Sequence, residues 1–443
     1  MIEQPTVAAP RARAPRGARH TLVALVASLA LAGSAAADTF VVDDDGGAGV
    51  DFTDIQPAVD AAGPGDLIVV RDGTYTSVLL DAGLRIVADT GHAPEIALGG
   101  IEILNVPSGQ TVVLAGFEMP SIYVHDCAGT VVLDDDSFGP HSGQTTMRLY
   151  RNETVVISRT TVEGQPGWDE GLSPPIIVAR RAIEVLETTV VFSACDVQGG
   201  KGGTRYKSDG RTGEPAILAR DALLFVQTTR VLGGHGGSFW GPDPAEFDCD
   251  GGDGAPALSL DRCEVEVFGR SGDLVKGGGG GEPSWLSSIW GISASAIDAV
   301  DSDVIHAGST ITTFDGVPVF SGTGSTLTLV DPAIPVLTLD GDGLLGGTLE
   351  PVLLAPVGAQ FLVWIAPFVG VQQVGFMHTQ FLLDPTLLLT LATGTVDATG
   401  TYSLPLGVPA GPALQGQALH AQAYVRPTSG SDVLSTSASC VLR

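Results

Sequence analysis

The sequence predicts an all-β protein: a right-handed parallel β-helix with an N-terminal capping helix, followed by a small C-terminal β-sandwich. Three observations predict it. The chain holds 59 Gly and 28 Pro in 443 residues and is only 16% charged, a composition of many short strands punctuated by turns. Short apolar tetrads recur along its middle. The recurrence stops at Asp331-Pro332-Ala333-Ile334-Pro335, after which longer alternating segments such as Gln360 to Ile365 and Leu419 to Val425 appear.

The elements follow in order. Residues 1–37 read as an export signal: Arg11, Arg13, Arg16 and Arg19 precede an apolar run from Thr21 to Ala32, and Ser34-Ala35-Ala36-Ala37 offers a small-residue cleavage site. The run is too short for a permanent span, and no later stretch of about 20 purely apolar residues follows. The mature chain is therefore expected in the cell envelope or outside the cell, with no membrane partner. Asp54 caps a helix in which Ile55, Ala58, Val59 and Ala62 share a face, Pro57 sits harmlessly in the first turn, and Gly63-Pro64 ends it. Short strands follow at Leu67–Val70, Val78–Leu80 and Leu84–Ala88, divided by Arg71-Asp72-Gly73 and Asp81-Ala82-Gly83.

From residue 111 the chain repeats itself. Tetrads starting at Thr111, Thr130, Thr154, Ile183, Leu223, Glu264 and Asp303 lie 19, 24, 29, 40, 41 and 39 residues apart. The shortest spacing is about one rung of a β-solenoid, in which stacked rungs bury a column of Val, Leu and Ile that no rung can bury alone. The longer spacings contain Gly-rich insertions: Gly164 to Ser173, Gly199 to Gly213, Gly233 to Gly254 and Gly277 to Gly291. Loops inserted at equivalent points of stacked rungs emerge on one side. The expected organisation is a β-helix over residues 38–330, a linker at 331–335 and a β-sandwich over 336–443, where Asp397-Ala398-Thr399-Gly400 reads as a hairpin turn. The helix near Asp54 is expected to cover one end of the solenoid and the sandwich the other.

Charge narrows the partners. Removing residues 1–37 takes four Arg and one Glu and moves the net charge from -28 to -31. Such a field repels nucleic acid and anionic lipid. Cys127, Cys195, Cys249, Cys263 and Cys440 include no C-x-x-C pair, so a zinc or iron-sulfur site is not expected; Cys249 and Cys263 are the nearest candidates for a disulfide.

The run Asp51-Phe52-Thr53-Asp54-Ile55-Gln56, with Ala58-Val59-Asp60-Ala61-Ala62, Gly65-Asp66 and Val69-Val70-Arg71-Asp72-Gly73-Thr74-Tyr75, resembles the opening of pectin lyase-like β-helix proteins, pectin methylesterases among them, over about residues 40 to 100. The resemblance implies a capping helix and the first rungs of a right-handed β-helix. Gly400-Thr401-Tyr402-Ser403-Leu404-Pro405 and Leu419-His420-Ala421-Gln422-Ala423 look like the β-sandwich modules that end many secreted bacterial proteins. That superfamily holds lyases, hydrolases, esterases and adhesins, so the resemblance speaks to fold more than to function. The methylesterase pair of Gly-Asp and Asp-Phe motifs does not occur in the rungs from Thr111 to Asp303. Gly234-His235-Gly236 and Asp134-Asp135-Asp136 look like parts of a polygalacturonase-type site but lie several rungs apart, too far to flank one glycosidic bond.

Candidate functional residues concentrate in the insertions. Trp168, Trp240, Trp285 and Trp290 lie there, as do all three Lys of the chain, Lys201, Lys207 and Lys276, together with Arg205, Tyr206 and His235. Aromatic faces stack on pyranose rings while Lys or Arg takes a carboxylate, so the expected function is binding or processing of an extracellular polysaccharide, acidic or neutral, with a polysaccharide lyase or hydrolase the enzyme classes that would fit. The alternative is that the Trp side chains anchor Gly-rich loops and the protein is a surface adhesin without chemistry; His235 then is a solvated loop histidine. A lyase would need a base and a cation, and Lys201, Arg205, Lys207 or Arg211 near Asp248, Asp250 and Asp253 offer them. Those three carboxylates on a Gly loop also offer oxygen ligands to calcium, the one cofactor considered, though Asp-Gly is equally ordinary turn chemistry.

Overall fold

The computed structural model describes residues 37–97, 99–140, 144–167, 177–203, 205–206, 210–240, 249–270, 273–283, 289–308, 310–330, 334–372 and 380–443, with Arg205, Tyr206, Phe239 and Trp240 described through their backbone. The expected export segment lies outside the described residues, Ala37 apart.

Residues 39–329 form a parallel β-helix of three sheets. Successive strands visit the first sheet, the second, the third and then the first again, so each strand pairs with its equivalent in the next rung. The first sheet has 11 strands, from Thr39–Val42 to Thr326–Leu329; the second and third have nine each. At its start Asp54 caps the helix Ile55–Ala61 through its own carboxylate, and Ile55 and Ala58 cover the first rungs, as the sequence predicts.

Six of the seven tetrads stack in the first sheet. The one at Ile183 does not: Thr154–Ser158 pairs with Thr189–Ser193, while Ile183–Leu186 joins Met147–Tyr150 in the third sheet. The reason is legible in burial. First-sheet strands such as Thr111–Ala115 and Thr189–Ser193 are buried at four successive positions, whereas Ile183–Leu186 alternates buried and half-buried, with Glu184 outward. Unbroken apolarity means that both faces are covered, and alternation that one is.

The first sheet's outer cover is the C-terminal part. From Val336 the strands are antiparallel and form two main sheets, Val336–Asp340, Thr348–Leu354 and Thr401–Ser403 in one, and Leu389–Thr395, Gln360–Ala366 and Ala418–Arg426 in the other, with a two-stranded ribbon of Val369–Gln372 and Phe381–Leu383 beside them. Their inner faces meet around Leu337, Leu353, Phe361, Val363, Ala423 and Val425. This unit does not cover the far end of the solenoid, contrary to expectation. It lies along the first sheet, where Val113, Ala115, Val132 and Val156 pack against Ala418 and Val441. Polar contacts pin the seam: Asp134, fully buried, takes the Arg159 guanidinium and the Val441 N–H, Gln227 Oε1 takes the Ser437 N–H and hydroxyl, and Arg443 pairs with Asp135. A long flat apolar sheet is a better burial partner than a narrow end.

At two corners of most rungs a short link carries one residue at positive φ. Asp126, Arg151, Glu187, Asp221, Arg262 and Asp301 adopt positive φ between the third sheet and the first, and Asp135, Arg159, Ala194 and Thr228 between the first and the second. Behind them run short ladders in which Asn152 accepts from the Cys127 N–H and Thr188 from the Asn152 N–H. All five cysteines are buried thiols and no disulfide joins Cys249 to Cys263.

Candidate functional site

The third corner, between the second sheet and the third, carries the insertions. Residues 164–182, 199–216, 233–257 and 277–296 each leave a second-sheet strand and return to a third-sheet strand, so they emerge on one side of the solenoid, as the sequence predicts.

Their Gly-rich arms are not floppy. Gly199 and Gly202 donate to the carbonyls of Leu232 and His235 in the next outgoing arm at 2.8 and 2.7 Å, and Gly233 and Gly236 repeat the pattern to Lys276 and Gly279, both at 2.9 Å. The returning arms do the same, Gly210 and Gly213 to Asp250 and Asp253, and Gly251 and Gly254 to Ile289 and Ile292. The residues between them bond across the two layers: Gly234 to Glu214, Gly237 to Arg211, Gly278 to Ala255. A donor direction that recurs every third residue is the period of an extended polyproline II-type arm. Glycine is required by proximity. A Cβ on Gly236 would stand 1.7 Å from the Gly252 carbonyl oxygen, and one on Gly202 2.0 Å from that of Arg211.

Within the first two Gly-Gly-x-Gly-Gly runs only the middle position, Lys201 and then His235, is exposed; its equivalent in the last arm is Gly279, buried, where a side chain would meet the His235 ring at 3.1 Å and Phe314 at 3.4 Å. Phe314 caps this file: its ring lies 5.2 Å from that of His235 at 60°, with the Lys276 ammonium 3.5 Å from its centroid. His235 Nδ1 accepts the Gly279 N–H at 3.1 Å, which puts the ring proton on Nε2, facing outward. Partial burial, then the Lys201 and Lys276 charges, hold its pKa below the usual imidazole value. In a strongly acidic chain this is a local cationic and aromatic patch, with hydrogen-bond donors fit for a carboxylate or sugar hydroxyls.

The remaining predicted residues divide. Arg205-Tyr206 pairs in parallel with Phe239-Trp240, which sets Tyr206 and Trp240 in register one rung apart. Trp290 is 61% exposed, flanked by Ile289 and Ile292 at 60% and 70%, although the backbone beneath it is hydrogen-bonded through Ile289 and Gly291. It is no anchor. The Asp253 carboxylate accepts the Ile292 N–H at 2.7 Å. Among the described residues, the group with carboxylate oxygens all within 4.8 Å of one another is Asp43, Asp44 and Asp45, where Asp43 pairs with Arg71 and Asp44 accepts the Thr74 N–H. Trp168, Lys207, Asp248 and Trp285 lie outside the described residues.

One cluster escaped the sequence reading. On the outer face of the third sheet Tyr123 stacks on His125 at 4.3 Å, meets Tyr150 edge-on at 5.4 Å and carries Arg148 over its other side at 4.7 Å. His125 contacts Glu102 through Nε2 at 3.1 Å and Asp126 through Nδ1 at 2.9 Å, and Arg151 fixes Asp126. The signal was the alternation in Ile122-Tyr-Val-His125 and Met147-Arg-Leu-Tyr150, which turns the polar and aromatic residues outward. Glu102 and Glu184 lie three rungs apart across this face, too far to flank one bond.

Fold and corner together define a parallel β-helix protein with a hydrogen-bonded loop platform along one edge. No protein-family model and no curated protein matches the chain. Among solved structures it is similar to the enzymatically active domain of tailspike protein 2 of bacteriophage CBA120, at 12% identity over 92% of this chain and 76% of that one, with a TM-score of 0.30. It is also similar to the catalytic domain of a GH87 α-1,3-glucanase in complex with nigerose, at 10% identity over 60% and 65% with a TM-score of 0.19. A third is Pantoea stewartii WceF, described as a glycan biofilm-modifying enzyme, at 10% over 86% and 50% with a TM-score of 0.16.

Proposed function

We propose that this is an exported protein that binds an acidic extracellular polysaccharide through the platform built by its insertions. The observation that carries the reading is Trp290, an indole held 61% exposed on a hydrogen-bonded arm. Leaving such a side chain in water forgoes roughly 1.5–3 kcal/mol of burial that a ligand can recover. His235 and Lys276 at the Phe314 ring, with the Lys201 charge near His235, supply the donors that a uronate carboxylate needs, on a chain whose net charge would otherwise repel it.

The test is titration of the mature chain with polygalacturonate, hyaluronan and neutral dextran. Trp290→Ala and the double variant Lys201→Ala/Lys276→Ala are each expected to weaken binding of an acidic polymer at least tenfold with the melting temperature unchanged. Salt is expected to weaken the wild type more than the Lys variant. Unchanged affinity in both variants overturns the reading, and growth of ultraviolet absorbance during the titration would mark a lyase.

A further inference from the structure

We infer that the C-terminal sandwich carries a second, independent sugar site, specific for a neutral glycan, in the groove on the outer face of its larger sheet. The groove has a volume of about 710 Å³ and is lined by Gln360, Leu362, Trp364, Thr393, Tyr424 and Arg426 among others. Register explains the grouping. Gln360 pairs with Arg426 and Thr395, Leu362 with Tyr424 and Thr393, so these side chains stand in rows on one face, while Phe361, Val363 and Val425 turn inward to the core.

The lining has the two chemistries of a pyranose. One wall is aromatic: the Trp364 and Tyr424 rings lie 6.1 Å apart and tilted by 45°, both half-buried, and Trp364 is steadied edge-on by Phe381 at 5.7 Å. The other is polar: the exposed Thr393 and Thr395 hydroxyls, the Gln360 amide and the Arg426 guanidinium. Stacking takes the apolar C–H face of the ring, and these donors and acceptors take its hydroxyl edge.

Charge selects the class of sugar. Arg426 is the one charged residue of the lining, and Asp432 already neutralises it at 2.9 Å while the Tyr424 hydroxyl bonds both. The pair holds Asp432 below the ordinary carboxylate range and leaves the groove with no net charge to offer a uronate. This distinguishes it from the cationic patch at the insertions. The sandwich docks through Ala418, Ser437 and Val441 at the opposite end of the Ala418–Arg426 strand or beyond it, and through Leu382 against Val191 and Phe225 behind Phe381, while Gln360, Thr393, Thr395 and Arg426 stay exposed along the groove.

The experiment is isothermal titration of the full mature chain with cellohexaose, laminarihexaose and maltohexaose. Thr393→Arg fills the groove from an exposed strand position without touching the core, and Tyr424→Ala removes one ring; circular dichroism melts confirm that each variant folds. At least one neutral hexaose is expected to bind the wild type, with affinity lowered tenfold or more in Thr393→Arg and unchanged in Lys201→Ala/Lys276→Ala. Failure of all three hexaoses to bind overturns the proposal, and so does binding that folded Thr393→Arg leaves intact. Because the Lys variant reports on the other site, loss of acidic-polymer binding there with none here would refute this inference alone.

Discussion

Glu266 is the sharpest probe of how the sandwich is held. It lies in Glu264–Phe268 of the first sheet, pairs across strands with Phe225 and Ile305, and is 7% exposed beneath the C-terminal unit. Burial drives its pKa up to about 8, against a backbone hydrogen bond from Gln380 and with a further push from the charge of Glu264. In the unfolded chain the carboxyl returns to about 4.5. The folded form thus holds a proton that the unfolded form has lost between those values, and stability falls as pH rises through that window. The contribution is full below pH 4.5 and gone above about 8. At roughly 1.4 kcal/mol per pKa unit it is on the order of 3–5 kcal/mol. Glu266→Gln keeps the shape and removes the proton. The variant is expected to melt several degrees above the wild type at pH 8.5, with the difference vanishing near pH 4.5, by calorimetry across that range. The reasoning fails if wild type and variant share one pH profile, for then Glu266 ionises in the seam at no cost.

Two further outcomes follow from buried groups and close contacts. Asp136 is fully buried, its Oδ1 takes the Phe117 N–H at 2.9 Å and its Oδ2 finds no partner among the described residues, so burial and the charges of Asp134 and Asp135 hold its pKa well above the ordinary value. Asp136→Asn is expected to stabilise the protein by about 1–3 kcal/mol at pH 7, less as pH falls, in urea unfolding. Gly236→Ala drives a methyl into the Gly252 carbonyl and is expected to open residues 233–257 to limited proteolysis, whereas Gly139→Ala, which meets nothing within 4 Å, leaves the digestion pattern unchanged.

How much of this was legible depended on whether the signal was local. The capping helix at Asp54, the stacking of Thr111, Thr130 and Thr154, and the common corner of the insertions all follow from spacing and turn chemistry within a rung. The tetrad at Ile183 was misread because four apolar letters were weighed without asking which alternate; Glu184 marks a strand with one wet face, and Thr189-Val-Val-Phe-Ser193 the true neighbour. The same unbroken runs announced a second cover for the first sheet. What covers it lies about 300 residues away in sequence, as in Asp134 with Val441, and no local pattern names it. The site was half visible. Lys201 and His235 drew notice by residue type, but the role of Lys276 depends on Phe314, an unremarkable turn residue that meets it only through stacking. Tyr123, His125 and Tyr150 were scattered single letters until the third sheet put them side by side.

The arms at the insertion corner separate architecture from address. Their cohesion comes mainly from amides and carbonyls, and glycine fills the positions that face a neighbour, while at the middle position of the first two Gly-Gly-x-Gly-Gly runs a side chain fits, and the His235 ring adds one bond of its own, from the Gly279 N–H. Lys201 and His235 show that this position admits different side chains in successive arms. Because donor directions recur every third residue, an arm lengthened by a triplet keeps its partners in step, while one or two extra residues would turn donors toward the wrong layer. A β-helix edged in this way can change the chemistry of its edge one letter at a time, and its reach three residues at a time, without the solenoid behind it being refolded.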